Sequence, residues 1–248
     1  MKPPLVIALA CALSVPAGAQ KSPNEALLQL LDRSSAEARE VRALLARGAD
    51  PNAASSAGGR SALMLAVGNG NLGAIRVLLA AGADANRRAD SETPLCGCIG
   101  NSFGQSEDMA LLLLAKGADP NLKCAQGNSP LRKALLYRSE DTVAILLNAG
   151  ARVDDVTEYG ATLLIDAARY GPSRNVELLL KRGASVNAKD RYGNTALLVA
   201  KNRTIAALLI KAGADINAPD DKGLSPLAHH EQLKNTQIAA LLRERGGR

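Results

Sequence analysis

Apolar residues recur along the chain at spacings of three and four. In "GAIRVLLAAG", residues 73 to 82, Ile75, Leu78 and Leu79 share one face of a helix that stops at Gly82, the residue best suited to a left-handed helix end. A second kind of phrase opens on Ser or Thr: "SALMLAV" from Ser61, "TPLCGCI" from Thr93, "SPLRKAL" from Ser129, "TLLIDAA" from Thr162, "TALLVAK" from Thr195 and "SPLAHHE" from Ser225. The hydroxyl accepts a backbone N–H bond at a helix start, and Pro94, Pro130 and Pro226 stand at the first helical position, where a missing donor costs nothing. The pattern predicts helix, turn, helix and then a projecting hairpin loop, over and over.

The repetition is explicit in Gly-Ala-x-x-Asn, found from Gly48 to Asn52, Gly82 to Asn86, Gly117 to Asn121, Gly183 to Asn187 and Gly213 to Asn217, with Gly150 to Asp154 as a variant. Successive glycines lie 34, 35, 33, 33 and 30 residues apart, and each Ser/Thr phrase follows its glycine by 11 to 13. The two phrases resemble the ankyrin repeat, whose hallmark is Thr-Pro-Leu-His followed by Gly-Ala-Asp-x-Asn on a period of about 33 residues. The resemblance runs from about residue 23 to the end. It implies an all-α solenoid of stacked helix-turn-helix units with projecting β-hairpin loops, seven helix pairs counting two caps.

One such unit cannot bury its apolar face alone, so neighbours must stack and the ends must differ. The expected division is a capping unit over residues 20–60, five repeats over 61–224 and a C-terminal cap over 225–248. At that cap the small positions filled by Ala167 and Ala168 become His230 and Glu231, and the adjacent His229 and His230 read as solvated. Two units break the spacing of 21 residues between phrase and glycine. From Thr93 to Gly117 it is 24, enlarging the loop "GNSFGQSED", whose Phe103 is a candidate partner contact unless it tucks against its own helices, and from Thr195 to Gly213 it is 18.

Composition fits this picture. Hydrophobic residues make up 47% of the chain, but only one Phe, four Tyr and no Trp are among them, and small aliphatic side chains suit closely packed helices. "MKPPLVIALACALSVPAGAQ" reads as a secretory signal peptide over residues 1–19, with Lys2, an apolar run from Leu5 to Val15 and a small-x-small site ending at Ala19. That run is too short to cross about 30 Å of hydrocarbon. Cys11 makes a poor lipoprotein site, because Ala8 stands where a lipobox usually has Leu. Loss of Lys2 takes the formal charge from +6 to +5. The expectation is a periplasmic or secreted monomer, not inserted in the membrane after cleavage, that meets acidic protein surfaces or anionic lipid rather than nucleic acid.

Cleavage leaves Cys96, Cys98 and Cys124, an odd number, and an oxidising compartment favours one bridge among them. Against the ankyrin pattern, Cys96 takes the place of the phrase's His and Cys98 that of a small buried Ala. Cys124 takes a hairpin position held by Asp190 two units later, expected to be the more exposed, and a Cys96–Cys124 bridge between neighbouring units is the hypothesis. Gly68-Asn-Gly70-Asn-Leu-Gly73 spells a dinucleotide fingerprint but falls on a helix–helix turn, where that motif carries no meaning. No catalytic, cofactor or metal constellation is expected; Asp84, Asp119 and Asp215 come one to a repeat.

Proteins of the resembled family bind partners on a concave side made of hairpin tips and inner-helix ends. Carried over, the free tip positions are Gln126, Tyr159 and Tyr192, and the free helix-end positions are Tyr137 and Tyr170 with Arg169 and Arg203 beside them. Every tyrosine of the chain is there, and rigid amphipathic rings are favoured at binding hot spots. Arg191, Lys189, Lys123, Arg132, Lys133, Arg87 and Arg88 flank them, so the partner is expected to present an acidic patch. The function expected is a non-enzymatic protein-interaction module of the bacterial cell envelope, inhibiting a partner as an immunity protein does or supporting an envelope enzyme in stress defence. The rival is a thiol-based redox or metal-handling protein using Cys96, Cys98 and Cys124.

Overall fold

The computed structural model describes residues 21–55, 59–100, 105–137 and 139–248. The proposed signal peptide, Cys11 and Phe103 therefore lie outside the described residues. Thirteen α-helices are present among those residues, α1 (Pro23–Leu31), α2 (Ala38–Ala46), α3 (Ala62–Gly68), α4 (Leu72–Ala80), α5 (Pro94–Cys98), α6 (Ser106–Ala115), α7 (Pro130–Leu136), α8 (Glu140–Asn148), α9 (Leu163–Tyr170), α10 (Ser173–Lys181), α11 (Arg203–Lys211), α12 (Pro226–Gln232) and α13 (Thr236–Glu244). Among the described residues the hairpins show isolated bridges, Ala54 to Ser61, Ala89 to Glu92 and Val156 to Thr162.

Local chemistry sets each unit. The hydroxyl of Ser61 accepts from Met64 N at 3.2 Å, and Thr93, Ser129, Thr162 and Ser225 accept in the same way three residues ahead. The outer helices end on glycine: Gly82 has φ +91°, and Ala83 N returns to Leu78 O at 3.0 Å, which satisfies a carbonyl the helix would leave open. Inner helices α1, α3, α5, α7 and α9 pack in sequence, as do outer helices α2, α4, α6, α8, α10, α11 and α13. Leu78, Leu113, Leu146, Leu179 and Leu209, one per unit four residues before the glycine, are fully buried. Each contributes roughly 1.5–3 kcal/mol of burial. Buried Ala66, Cys98, Ala134, Ala167 and Ala200 hold the small inner position that lets units approach.

Asparagine stitches the loops together. Asn86 Nδ2 donates to Gly117 O and its Oδ1 accepts from Asp119 N, both at 2.8 Å, and Asn52, Asn121 and Asn187 repeat the rung one unit on. The fourth loop has Asp154 instead, which has no N–H to give and pairs with Arg152 at 3.1 Å. A buried ion network crosses that same junction. Arg132 of α7 pairs with Asp166 of α9 and donates to the carbonyls of Asp155 and Ala161 in the linking hairpin.

The sixth unit departs from expectation. Thr195 still accepts from Leu198 N at 3.3 Å, but residues 196–199 form only a turn, not an inner helix. Three residues are missing before Asn202, which caps α11 through Ile205 N, so the chain must leave after one turn. Lys201 N donates to Ala168 O instead. The solvated cap is corrected at His230, which is 1% exposed and fills the space beneath that turn, its Nε2 3.2 Å from Leu197 O and its Nδ1 3.2 Å from Asn235 Nδ2.

Candidate functional site

The four tyrosines stand out from a well-buried chain: Tyr137 is 59% exposed, Tyr159 53%, Tyr170 48% and Tyr192 60%. Tyr137 and Tyr170 end the inner helices α7 and α9, whereas Tyr159 and Tyr192 sit before Gly160 and Gly193, whose φ values of +74° and +76° turn the hairpins.

Those hairpins are held from within and from outside. Asp190 Oδ1 accepts from Tyr192 N and Asn194 N, both at 2.9 Å, and Thr157 and Asp220 hold the hairpins on either side in the same way. Neighbouring tips are then tied: Arg191 N donates to Tyr159 O at 2.9 Å, and Asp221 N to Tyr192 O at 3.1 Å. The approach is so close that a Cβ on Gly193 would come within 2.5 Å of Asp221 N. Two exposed rings thus ride on a braced row of tips, with their ordering cost met before any partner arrives. The Glu158 carboxylate beside Tyr159 raises its phenol pKa.

Below the tips, Arg169 lies 5.9 Å over the Tyr170 ring and 3.9 Å from Asp190. Lys201 Nζ donates to Tyr170 O at 3.2 Å, and Lys189 Nζ to Pro219 O at 2.8 Å. Arg191 is exposed at the tip itself. Arg203 reaches towards the C-terminal cap, to Gln237 O and Glu244. Arg87 donates to Asn52 O, and Arg88 to Ser91 O. Residues 129–248 hold 18 Lys and Arg against 13 Asp and Glu, while residues 21–128 hold 11 of each, so the excess positive charge follows the tyrosines.

Several assignments change. Arg132, expected on the binding face, is 2% exposed, because the family's His position points at the next unit and the longer side chain reaches Asp155 and Asp166 there. Lys123 is also engaged, paired with Asp155. Burial pushes the Asp155 carboxyl up, but Lys123, Ser129 and Arg132 outweigh it and hold it below its ordinary value. At Asp166 burial prevails over Arg132 and Arg169 and raises the carboxyl.

Cys96 and Cys124 are joined by a disulfide, and Cys124 is buried rather than exposed. It occupies the hairpin position where Thr157, Asp190 and Asp220 accept backbone N–H bonds, and a thiol is a poor substitute, so the covalent tie to α5 takes over that task. Cys98 is free and fully buried, and burial pushes its thiol up to about 12, leaving an inert small hydrophobe. Sequence reading missed Glu92, which joins Lys133, Gln126 and Tyr137 around a cavity of about 360 Å³ between the third and fourth units.

Among the described residues no helix is long and apolar enough to cross a membrane. A family model for ankyrin repeats matches the chain in three copies, at residues 33–124, 98–190 and 160–220. No curated protein matches it.

Proposed function

The chain belongs to the ankyrin-repeat family, a protein-interaction scaffold, and from that premise we propose that it binds an acidic partner protein through the tips and inner-helix ends of its fourth to sixth units. The observation that carries this is the braced row of tips bearing Tyr159 and Tyr192 beside the exposed Arg191. Rigid rings at the centre supply contact area, and the surrounding Arg169, Lys189 and Lys201 give the face its sign. The role is non-enzymatic: an inhibitor or immunity protein, or a supporter of an envelope enzyme. The signal-like residues 1–19 support export to the periplasm or beyond, with the mature chain acting as a monomer.

The test is capture from an envelope extract with mature protein, at low and high salt, beside a Tyr159→Ala, Tyr192→Ala variant. Both side chains point to solvent, so the variant keeps its melting temperature. The expected result is a partner that wild type retains, that the double variant loses, and that salt weakens. Equal capture by both proteins would refute the assignment.

A further inference from the structure

Beside the cavity that Glu92 lines between the third and fourth units, three donor groups converge. The sulfurs of Cys96 and Cys124 and a carboxylate oxygen of Glu92 all lie within 4.8 Å of one another. Glu92 Oε1 is buried without a hydrogen-bond partner. Its other oxygen is 3.6 Å from Lys133 Nζ, which is already donating to Cys96 O at 2.7 Å. A carboxylate oxygen held out of water with nothing to accept is costly, and the disulfide gives it no use.

The backbone explains how the carboxylate comes to be there. From Asn86 to Thr93 there are seven residues, one fewer than separate the corresponding positions in each of the four hairpins that follow. The shortened turn is closed by Ala89 N to Glu92 O at 3.0 Å and Glu92 N to Ala89 O at 2.8 Å, with Asp90 and Ser91 both left-handed at φ 49° and 65°. Two non-glycine residues in that region cost of order 1–3 kcal/mol each. The strain leaves Glu92 directly before the cap of α5, over Cys96.

We infer that, once the disulfide is reduced, Cys96, Cys124 and Glu92 bind a divalent cation of borderline softness, of which zinc is the type. Two thiolates and a carboxylate are ligands such an ion takes, and tetrahedral bonds of about 2.3 Å to sulfur and about 2.0–2.2 Å to oxygen place donors roughly 3.5–3.8 Å apart, so the sulfurs, bonded at 2.03 Å in the disulfide, part on reduction to admit the ion. The charges close as well: a dication with three anionic ligands leaves −1, which the Lys133 ammonium balances. Reduction by an external dithiol transfers two electrons and two protons to the sulfur–sulfur bond, leaving two thiols and the dithiol's own disulfide, and the metal then displaces one proton from each thiol. Disulfide and metal are thus alternative states of one site, separate from the hairpin tips that carry Tyr159 and Tyr192.

The test uses purified protein reduced with a phosphine, freed of reductant, and titrated with cobalt(II) as a spectroscopic stand-in. The expected result is one cobalt per chain, a thiolate-to-cobalt charge-transfer band, two protons released, and displacement by zinc, with none of this in the oxidised protein. Glu92→Gln is expected to weaken binding at least about tenfold, and Cys98→Ser to leave it unchanged. Absence of the band in reduced wild type would overturn the inference. So would equal affinity in Glu92→Gln, the behaviour of two thiols in a chain that reduction had merely loosened. Partner capture by the tyrosine face is read separately, so either idea can fail without the other.

Discussion

His230 is neutral because both of its ring nitrogens are spoken for. Nε2 faces Leu197 O, which can only accept, so Nε2 carries the proton and Nδ1 accepts from Asn235. Burial, against the bond to Leu197 O, lowers its pKa below the ordinary 6.5. The folded state therefore takes up a proton less readily than the unfolded chain. The stability so conferred is whole above about pH 6.5 and drains away as pH falls towards the folded value. Melting temperature should decline between about pH 7 and 5, and His230→Ala, which restores the small residue of the other units, should flatten that decline. Asn175 makes an opposite case. It is fully buried, and neither polar atom of its amide has a partner. Equivalent positions hold Ala74, Met109, Thr142 and Ile205. Asn175→Ala should raise stability by about 1 kcal/mol in denaturant titration; a loss would mean that the amide is satisfied by solvent within the protein.

At the scale of elements, repeated phrases made most helices legible. The caps, the left-handed glycines and the buried leucines all follow from residues whose chemistry is local. What was not legible was decided elsewhere. "TALLVAK" looks like its counterparts and still fails to form a helix, because the information lies in the distance to Asn202 and not in the phrase. Arg132 and His230 were read as surface from their polarity, yet each is buried against a carbonyl or carboxylate of a neighbouring unit, which no local pattern encodes. The exposed tyrosines lie where the repeat puts free positions; the tie between their tips depends on the close approach of backbones from neighbouring units, which no residue pattern specifies. The third hairpin offers a direct check on how a covalent tie replaces a polar one. Breaking the loop closed by Cys96 and Cys124 with Cys96→Ala, Cys124→Ala should cost about 3 kcal/mol. Cys96→Ala, Cys124→Asp should lose less, since Asp190 and Asp220 hold the same position in later hairpins.

Over the whole molecule, stability passes from neighbour to neighbour, and the junction between the fourth and fifth units is built unlike the rest. There the asparagine rung gives way to Asp154, while Arg132 and Arg182 reach across, Arg182 to the Leu147 carbonyl and the Asn148 side chain. Asp154→Asn should restore a rung to the loop of the fifth unit at the expense of an exposed pair with Arg152. The expected result is a gain in stability, with slower hydrogen exchange at Ala184 and Ser185. Unchanged exchange there would show that the fifth loop has moved beyond reach.

The cross-link between Cys96 and Cys124 also sets how far the chain can be drawn out. Pulled by its two ends, the solenoid would peel unit by unit, but the segment between the linked sulfurs, 28 residues along the chain, cannot carry tension while the bond stands. A single oxidised molecule should reach a contour length about 90 Å shorter than a reduced one. Tension would thus bypass the enclosed stretch, α6 and the loops beside it, even after every other unit had been pulled straight.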